Sequence, residues 1–439
     1  MKNLKRKYGL SLMTLLISFI LTFPYPGLLK GTEIPPARDV VTGKAELPTI
    51  EDLTDGEVKK GDLIDKNNMD LVKQWLTPGT IEAINQGMVL IMGTNSKSNT
   101  TMPKAYLEAT KRNKGKAVMD ETGVAYYEKI GTPWPGGNPF PEPKSGLEVM
   151  ACSKYGIGVD DFTNIGALTF VNSKGKVYKT IGMTSCQIWC NTRIYFPPLG
   201  TAPGFEDQMF RRISTLTSPI EIKGQGTFAV RYYDDAKTYD SGFNYFPAYK
   251  RTLRVSSTTW QDNIAGSDML AGDSEGFKEP YVDWDFKLLG TKYFLIPEYD
   301  APFTYFDKEG KLNPKLKFDV GRRWPRMGWA VFPMHVVEAI PRVKHVYGKK
   351  VLYECTAPFF TVSGQAHIME PYDRQGKLWK FYCNHNGDFD EKWNARIPWG
   401  IFITDLQSQH TTQFWFNFHI NQDLKPLQCS FKELLKLGR

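Results

Sequence analysis

The sequence lacks an apolar run of full bilayer length, so an export signal fits better than a membrane anchor, retention as an anchor being the alternative. Its best candidate, Leu10 to Phe23, is interrupted by Ser11, Thr14, Ser18 and Thr22 and ended by Pro24 and Pro26. As a helix it would rise ~21 Å, against a hydrocarbon core of ~30 Å. The chain has no Lys/Arg-dense tract of the kind that tracks a phosphate backbone, so nucleic acid is excluded as a partner. Catalytic signatures are missing too: there is no HExxH, GxSxG, Walker loop or GxGxxG, and Gly224-Gln225-Gly226 is a bare GxG. No CxxCH exists, which rules out covalent haem. Histidine is scarce, and His335, His345, His367, His385, His410 and His419 form no pair at ligand spacing. Neither a metal nor another cofactor is expected.

What the chain does contain is aromatic residues, 27 Phe, 21 Tyr and 11 Trp among 439, with 41% hydrophobic and 23% charged residues. Such a composition belongs to a globular protein, and aromatics favour pleated, half-buried surfaces. A mostly β fold follows as the first expectation. The N-terminus reads as an export signal: Lys2, Lys5, Arg6 and Lys7 precede the apolar run, and cleavage is placed after Leu29-Lys30-Gly31. Those four cations and Lys30 supply most of the net charge of +8. Cys152, Cys186, Cys190, Cys355, Cys383 and Cys429 are an even set in an exported chain, which permits three disulfides. Sequence does not give their pairing, and buried free thiols are the alternative. Cys186 and Cys190 fall in a strand-like stretch, Ser185–Tyr195, where they would share a side and seek outside partners such as Cys152.

Residues 1–31 are therefore read as signal, 32–65 as an extended lead-in, 66–425 as one domain and 426–439 as a C-terminal tail. Asn67 to Met88 has helical apolar spacing cut in two by Pro78-Gly79, and Ala105 to Arg112 is a further short helix. Gly131 to Glu148 is so rich in Pro and Gly that it reads as a loop. From about Gly166 period-2 alternation takes over, in Thr227–Tyr233, Tyr281–Leu288, Lys350–Cys355, Trp399–Thr404 and Gln413–Phe418. Asp373-Arg374-Gln375-Gly376 marks a turn between Ala366–Tyr372 and Lys377–Cys383. This pattern predicts an antiparallel meander with two chemically different faces.

A long sheet with so few helices to cover it must fill its concavity with loops or with a ligand. The candidate ligand-lining residues are Phe228, Val230, Tyr232, Trp284, Phe286, Leu288, Val351, Tyr353, Ile401, Ile403, Phe414 and Phe416. Movement near 67–88 or 131–148 would open the cavity. Two basic clusters, Lys250, Arg251 and Arg254, then Arg322, Arg323 and Arg326, are candidates for a rim that holds an anionic headgroup or a partner, or form a solvated face. The acidic pairs Asp160-Asp161, Asp234-Asp235 and Asp283 with Asp285 are each local in sequence and read as structural.

The ordered segments from Asp234 to Phe418 resemble a family of exported bacterial proteins of unknown function, often labelled outer-membrane lipoprotein-sorting proteins. The resemblance rests on Asp234-Asp235, Tyr245-Phe246-Pro247, Lys250-Arg251, Asp283-Trp284, Lys287 to Lys292, Ile296-Pro297-Glu298-Tyr299, Val336 to Ala339 and Lys344 to Val351. Tyr372 to Lys380 is the most specific segment, and Gly137-Asn138-Pro139-Phe140-Pro141 extends the match upstream. In this chain Thr252 and Leu253 divide the family's Arg-rich run. The resemblance implies a fold like the Lol lipoprotein carriers, a curved antiparallel half-barrel closed by short helices. It also implies a periplasmic, non-enzymatic carrier of lipid or hydrophobic small molecules, at times peripheral to the outer membrane, working with an inner-membrane export pump and an outer-membrane barrel. An adaptor bridging pump and barrel, with a filled core, is the alternative; a periplasmic enzyme on a hydrophobic substrate is the third reading.

Overall fold

The alternating segments pair into one open sheet of 15 strands in the computed structural model, which describes residues 47–93, 103–255, 259–274, 276–297, 315–354 and 367–437. The expected leader, the lead-in before residue 47 and Cys355 lie outside the described residues. The strands are β1 (Leu63–Ile64), β2 (Leu90–Met92), β3 (Ala117–Met119), β4 (Ala125–Tyr127), β5 (Asp161–Val171), β6 (Val177–Trp189), β7 (Gln208–Ser218), β8 (Gly226–Tyr232), β9 (Ser241–Phe246) and β10 (Arg251–Val255). They continue as β11 (Trp284–Pro297), β12 (Phe318–Asp319), β13 (Trp324–Pro325), β14 (Gly328–Pro341), β15 (Lys349–Glu354), β16 (Ile368–Tyr372), β17 (Lys380–Asp390), β18 (Ala395–Asp405) and β19 (His410–Ile420). Strands β3–β4 and β12–β13 form separate small hairpins.

Across the main sheet the order runs β11–β14–β15–β16–β17–β18–β19–β5–β6–β7–β8–β9–β10. Every pair in that series is antiparallel; the short β2, itself paired with β1, joins β14 in parallel. The edges β10 and β11 do not pair with each other, so the sheet stays an open half-barrel. Two meanders are thus sewn together by the last strand, β19, against the first long one, β5. The turn expected at 373–376 sits between β16 and β17. Gly376 adopts φ 80° there, and Asp373 Oδ1 accepts the N–H groups of Gln375 and Lys377 at 3.0 and 2.9 Å.

Among the described residues five helices accompany the sheet: α1 (Ile50–Leu53), α2 (Pro78–Asn85), α3 (Lys104–Asn113), which packs on Ile194 beyond the sheet, α4 (Gly146–Tyr155) and α5 (Phe431–Leu437). Pro78-Gly79 starts α2 instead of dividing a helix pair; Thr77 caps it by accepting from Thr80 N at 3.2 Å, and Pro at the first helical position loses no hydrogen bond. Two 3-10 turns, Met69–Leu71 and Lys73–Trp75, precede it. The loop expected over 131–148 ends in α4, where Ser145 Oγ accepts from Glu148 N at 3.2 Å. A Cβ at Gly146 would lie 2.8–2.9 Å from the backbone of β11, so only glycine lets this helix press onto the strand.

Helices α1 and α2 cover the outer face at the β14–β17 end, with Ala83 and Ile84 packed among Val336, Val351, Tyr353 and Ile368. Helix α5, in the segment expected as a tail, covers the outer face at the β6–β9 end, where Leu434 meets Ile188, Ile213 and Phe228. Strand β6 stops at Trp189, so Cys190 lies beyond it and does not share a strand face with Cys186. Cys186 instead approaches Cys429, Sγ to Sγ 2.9 Å. The inner face is covered by α4 and by the connection 259–283.

Candidate ligand cavity

Strands β5 to β9 place side chains on the inner face in transverse rungs set by their register. One rung is polar across five strands: Asn164 faces Ser185, Ser185 faces Ser214, Ser214 faces Thr227 and Thr227 faces Asn244. The next rung carries Phe162, Gln187, Arg212 and Ala229. On the other side of the polar rung the residues turn apolar, with Met183 opposite Leu216, then Leu168 opposite Phe414. Above this floor the connection 259–283 runs from one sheet edge, β10, to the other, β11, as a strap. Trp260, Ile264, Met269 and Lys278 of the strap line the same space. Between floor and strap lies a cavity of about 520 Å³, within the ~300–1,000 Å³ usual for small-molecule sites.

Ionic anchors tie the strap to the other half of the sheet. Lys350, on β15 and fully buried, meets Asp273 at 2.9 Å and Glu279 at 2.7 Å. Tyr347 donates to Asp273 at 2.7 Å, and His345 Nε2 lies 3.2 Å from Glu279. Burial works to raise the Glu279 carboxyl, but Lys350 and His345 beside it pull it down to about 2. Further along, Asp268 accepts from Thr412 at 2.7 Å and meets His410 Nδ1 at 2.8 Å. That contact, outweighing burial, raises the imidazole pKa.

The two charged residues among the described cavity lining are both cations, Arg212 and Lys278, and they flank one ring: Arg212 Cζ lies 5.3 Å and Lys278 Nζ 5.1 Å from the centre of Phe210. Arg212 Nε donates to Gln187 Oε1 at 2.5 Å. Lys278 also borders a second, small cavity of about 40 Å³ with Lys154, Arg231 and Glu354. There Lys154 bonds Asp235 at 2.7 Å, Arg231 bonds the same carboxylate, and Ser153 donates to Glu354 at 2.8 Å. Burial pushes the Glu354 carboxyl up to about 7 and lowers Lys154.

Of the candidate lining residues, Ile401, Phe414 and Phe416 border the cavity. Trp284, Phe286, Leu288 and Ile403 share the inner face but pack against α4 and Phe277, where the space is filled. Val351 and Tyr353 point to the outer face under α2, and Phe228, Val230 and Tyr232 to the outer face near α5. On β8 the cavity is met by Thr227 and Ala229 instead. Both faces of these strands are covered, so alternation alone cannot say which row looks inward.

Neither 67–88 nor 131–148 lines the cavity. Lys250, Arg251 and Arg254 are exposed on or beside the edge strand β10. The second basic cluster belongs to the β12–β13 hairpin: Arg322 lies over Phe318, Arg323 is buried and donates to Gln86 at 2.8 Å, and Arg326 pairs with Asp319 at 2.6 Å. The acidic residues Asp160 and Asp161 clamp backbone, accepting from Ile194 N at 2.7 Å and Gln422 N at 2.7 Å.

Sequence reasoning passed over Gln187, Arg212, Trp260 and Lys278. On β7 the Arg212, Ser214, Leu216 row looks like a solvated strand face, and only the roof above it makes it interior. The signal available was the strap itself, a long connection without strand periodicity, a length usually reserved for functional loops.

Fold and site together define an open β half-barrel with a strap-roofed internal cavity. The chain belongs to the family described as protein of unknown function DUF1329, which matches residues 63–431. An uncharacterized protein of Pseudomonas aeruginosa is 24% identical over 351 residues, 76% of this chain and 70% of that one. Among solved structures, a domain described as an outer membrane lipoprotein-sorting protein from Vibrio parahaemolyticus is 17% identical, with a TM-score of 0.44 over 66% of this chain and 98% of its own. A DUF1329 family protein from Desulfovibrio piger is 11% identical, with a TM-score of 0.42 over 63% and 92%. A LolA superfamily protein from Nitrosomonas europaea is 12% identical, with a TM-score of 0.39 over 66% and 100%.

Proposed function

We propose that the protein is a periplasmic, non-enzymatic carrier that holds a lipid-like molecule between the β5–β9 floor and the strap. The observation that carries this reading is the cavity of about 520 Å³. An adaptor would have its own side chains in that space. Binding would proceed by partition, each buried methylene contributing ~0.8 kcal/mol. Among the described lining residues there is no His, Cys, Asp or Glu. The export-signal pattern supports the compartment, and among the described residues no helix is long and apolar enough to cross a membrane. An inner-membrane pump and an outer-membrane barrel would be the donor and acceptor of the cargo.

The test is gentle purification of the full chain, then native mass spectrometry and organic extraction. We expect a stoichiometric hydrophobic ligand in the wild type and its loss in Ala229→Trp, which places an indole in the cavity. A protein that is empty and also refuses every acyl probe would overturn the carrier reading.

A further inference from the structure

The polar rung on the cavity floor is uncharged from end to end. Asn164, Ser185, Ser214, Thr227 and Asn244 stand one per strand from β5 to β9, and all five border the cavity. At ~4.8 Å between strands they form a row of roughly 19 Å. Ser185 donates to Asn164 Oδ1 at 2.8 Å, and Thr227 donates to Asn244 Oδ1 at 2.7 Å. Each hydroxyl–amide pair thereby engages the amide oxygen and leaves the Nδ2 hydrogens over. Among the described residues no hydrogen bond engages those two Nδ2 groups or Ser214 Oγ, which stands between the pairs. A face that serves only as a wall is apolar, as at the other end of the sheet, where Val337, Leu352 and Met369 fill the inner side. A hydrocarbon chain laid over the polar row would strip water from it and return no hydrogen bond. Hydroxyl and amide side chains both donate and accept, which suits the hydroxyl and carbonyl groups of a ligand. Directly beside the row the lining turns apolar, at Met183 and Leu216.

We propose that the cavity takes an uncharged amphiphile whose head carries several hydroxyl or carbonyl groups, an acylglycerol being the simplest kind. The head lies across the row from Asn164 to Asn244, and the acyl chain lies along Leu168, Met183, Leu216 and the Phe414–Phe416 wall. This assignment rests on the carrier reading and narrows it from hydrophobic molecules at large to one class of head group. The length of the row favours a head with several polar atoms over a single hydroxyl.

The experiment uses delipidated full-length protein loaded with the apolar fluorophore diphenylhexatriene, displaced by glyceryl monolaurate, methyl laurate or laurate, which share one acyl chain. Glyceryl monolaurate should displace at about tenfold lower concentration than methyl laurate, the scale of one or two net hydrogen bonds. Partition alone would favour the less polar methyl ester, so that order reports the head group. Laurate should gain nothing over methyl laurate. Ser214→Ala and Asn244→Leu should each narrow the gap between the two esters, with thermal melts to check that both variants fold. A gap that survives both substitutions would place the head elsewhere and overturn the assignment. If methyl laurate matches glyceryl monolaurate in the wild type, or laurate is the tightest of the three, the neutral head is wrong. Ala229→Trp blocking the fluorophore would then show that the carrier still stands. If neither the fluorophore nor any laurate chain binds, the carrier reading falls and this proposal with it.

Discussion

The two ends of the sheet are built from the same alternating strands and come out differently. At the β14–β17 end both faces are packed, the outer one under α1 and α2 and the inner one under α4 and the anchored part of the strap. At the β5–β9 end only the outer face is packed, beneath α5, and the inner face carries a polar rung under open space. The difference teaches where stability and function are kept. The ionic anchors of the strap, Lys350 and His410, sit on β15 and β19, so the roof hangs from the filled half and overhangs the hollow one. The hollow is tolerated because it borrows rigidity from its neighbour.

That contrast can be broken most directly at Lys350. Lys350→Met removes the cation that pairs with both buried carboxylates, leaving Glu279 with His345 alone, and we expect a loss of about 3–5 kcal/mol in urea unfolding. An unchanged midpoint would mean the filled end does not hold the strap. Next comes one substitution made at both ends: Leu352→Ala, in the packed inner core, should cost ~2–5 kcal/mol. Leu216→Ala, on the cavity wall, should cost only about 1, because its side chain already borders a void. Equal losses in parallel melts would erase the distinction.

The filled end should also carry a pH signature. Burial raises the Glu370 carboxyl to about 7, although it accepts from Gly79 N at 2.5 Å and Tyr353 OH at 3.2 Å. With the folded pKa above the unfolded ~4.5, protonation favours the fold. Its contribution is whole below pH ~4.5 and is lost as pH rises through about 7, a fall of about 3 kcal/mol. In Glu370→Gln the stability curve should flatten across that window; a wild-type curve already flat there would sink the assignment. At the hollow end, oxidation should join Cys186 to Cys429 and fasten the tail segment to β6. Reducing that bond should cost about 2 kcal/mol, and peptide mapping without reductant would show the linked pair. Peptides linking either cysteine elsewhere would contradict it.

Much of the fold was legible in the residues. Alternation at Trp284–Leu288 and Gln413–Phe418, the Asp373–Gly376 turn and the ordered family segments all lead to an open antiparallel sheet. Helices were read less well. Pro78 looked like a breaker but occupies a first-turn position, and α5 is too short to show its face in sequence. The cavity was half legible. Ile401, Phe414 and Phe416 border it, yet Phe228 and Val230 were placed on the wrong side of β8, since a strand buried on both faces gives alternation without direction. Arg212 and Gln187 were invisible for the opposite reason: polar residues on a strand ordinarily mean solvent, and here they mean a roofed interior.

The seam between β19 and β5 governs when the protein can come into being. Asp161 at the start of β5 receives hydrogen bonds from Gln422 and Leu424, more than 260 positions along the chain. Contacts that distant are slow to form, because a long loop must close before they reward it. The first meander therefore waits with its β5 border bare until the chain has emerged past β19. Its hollow gains the wall of Phe414, Phe416 and Phe418 only when β19 docks on β5, so the cavity is among the last features of the fold to close.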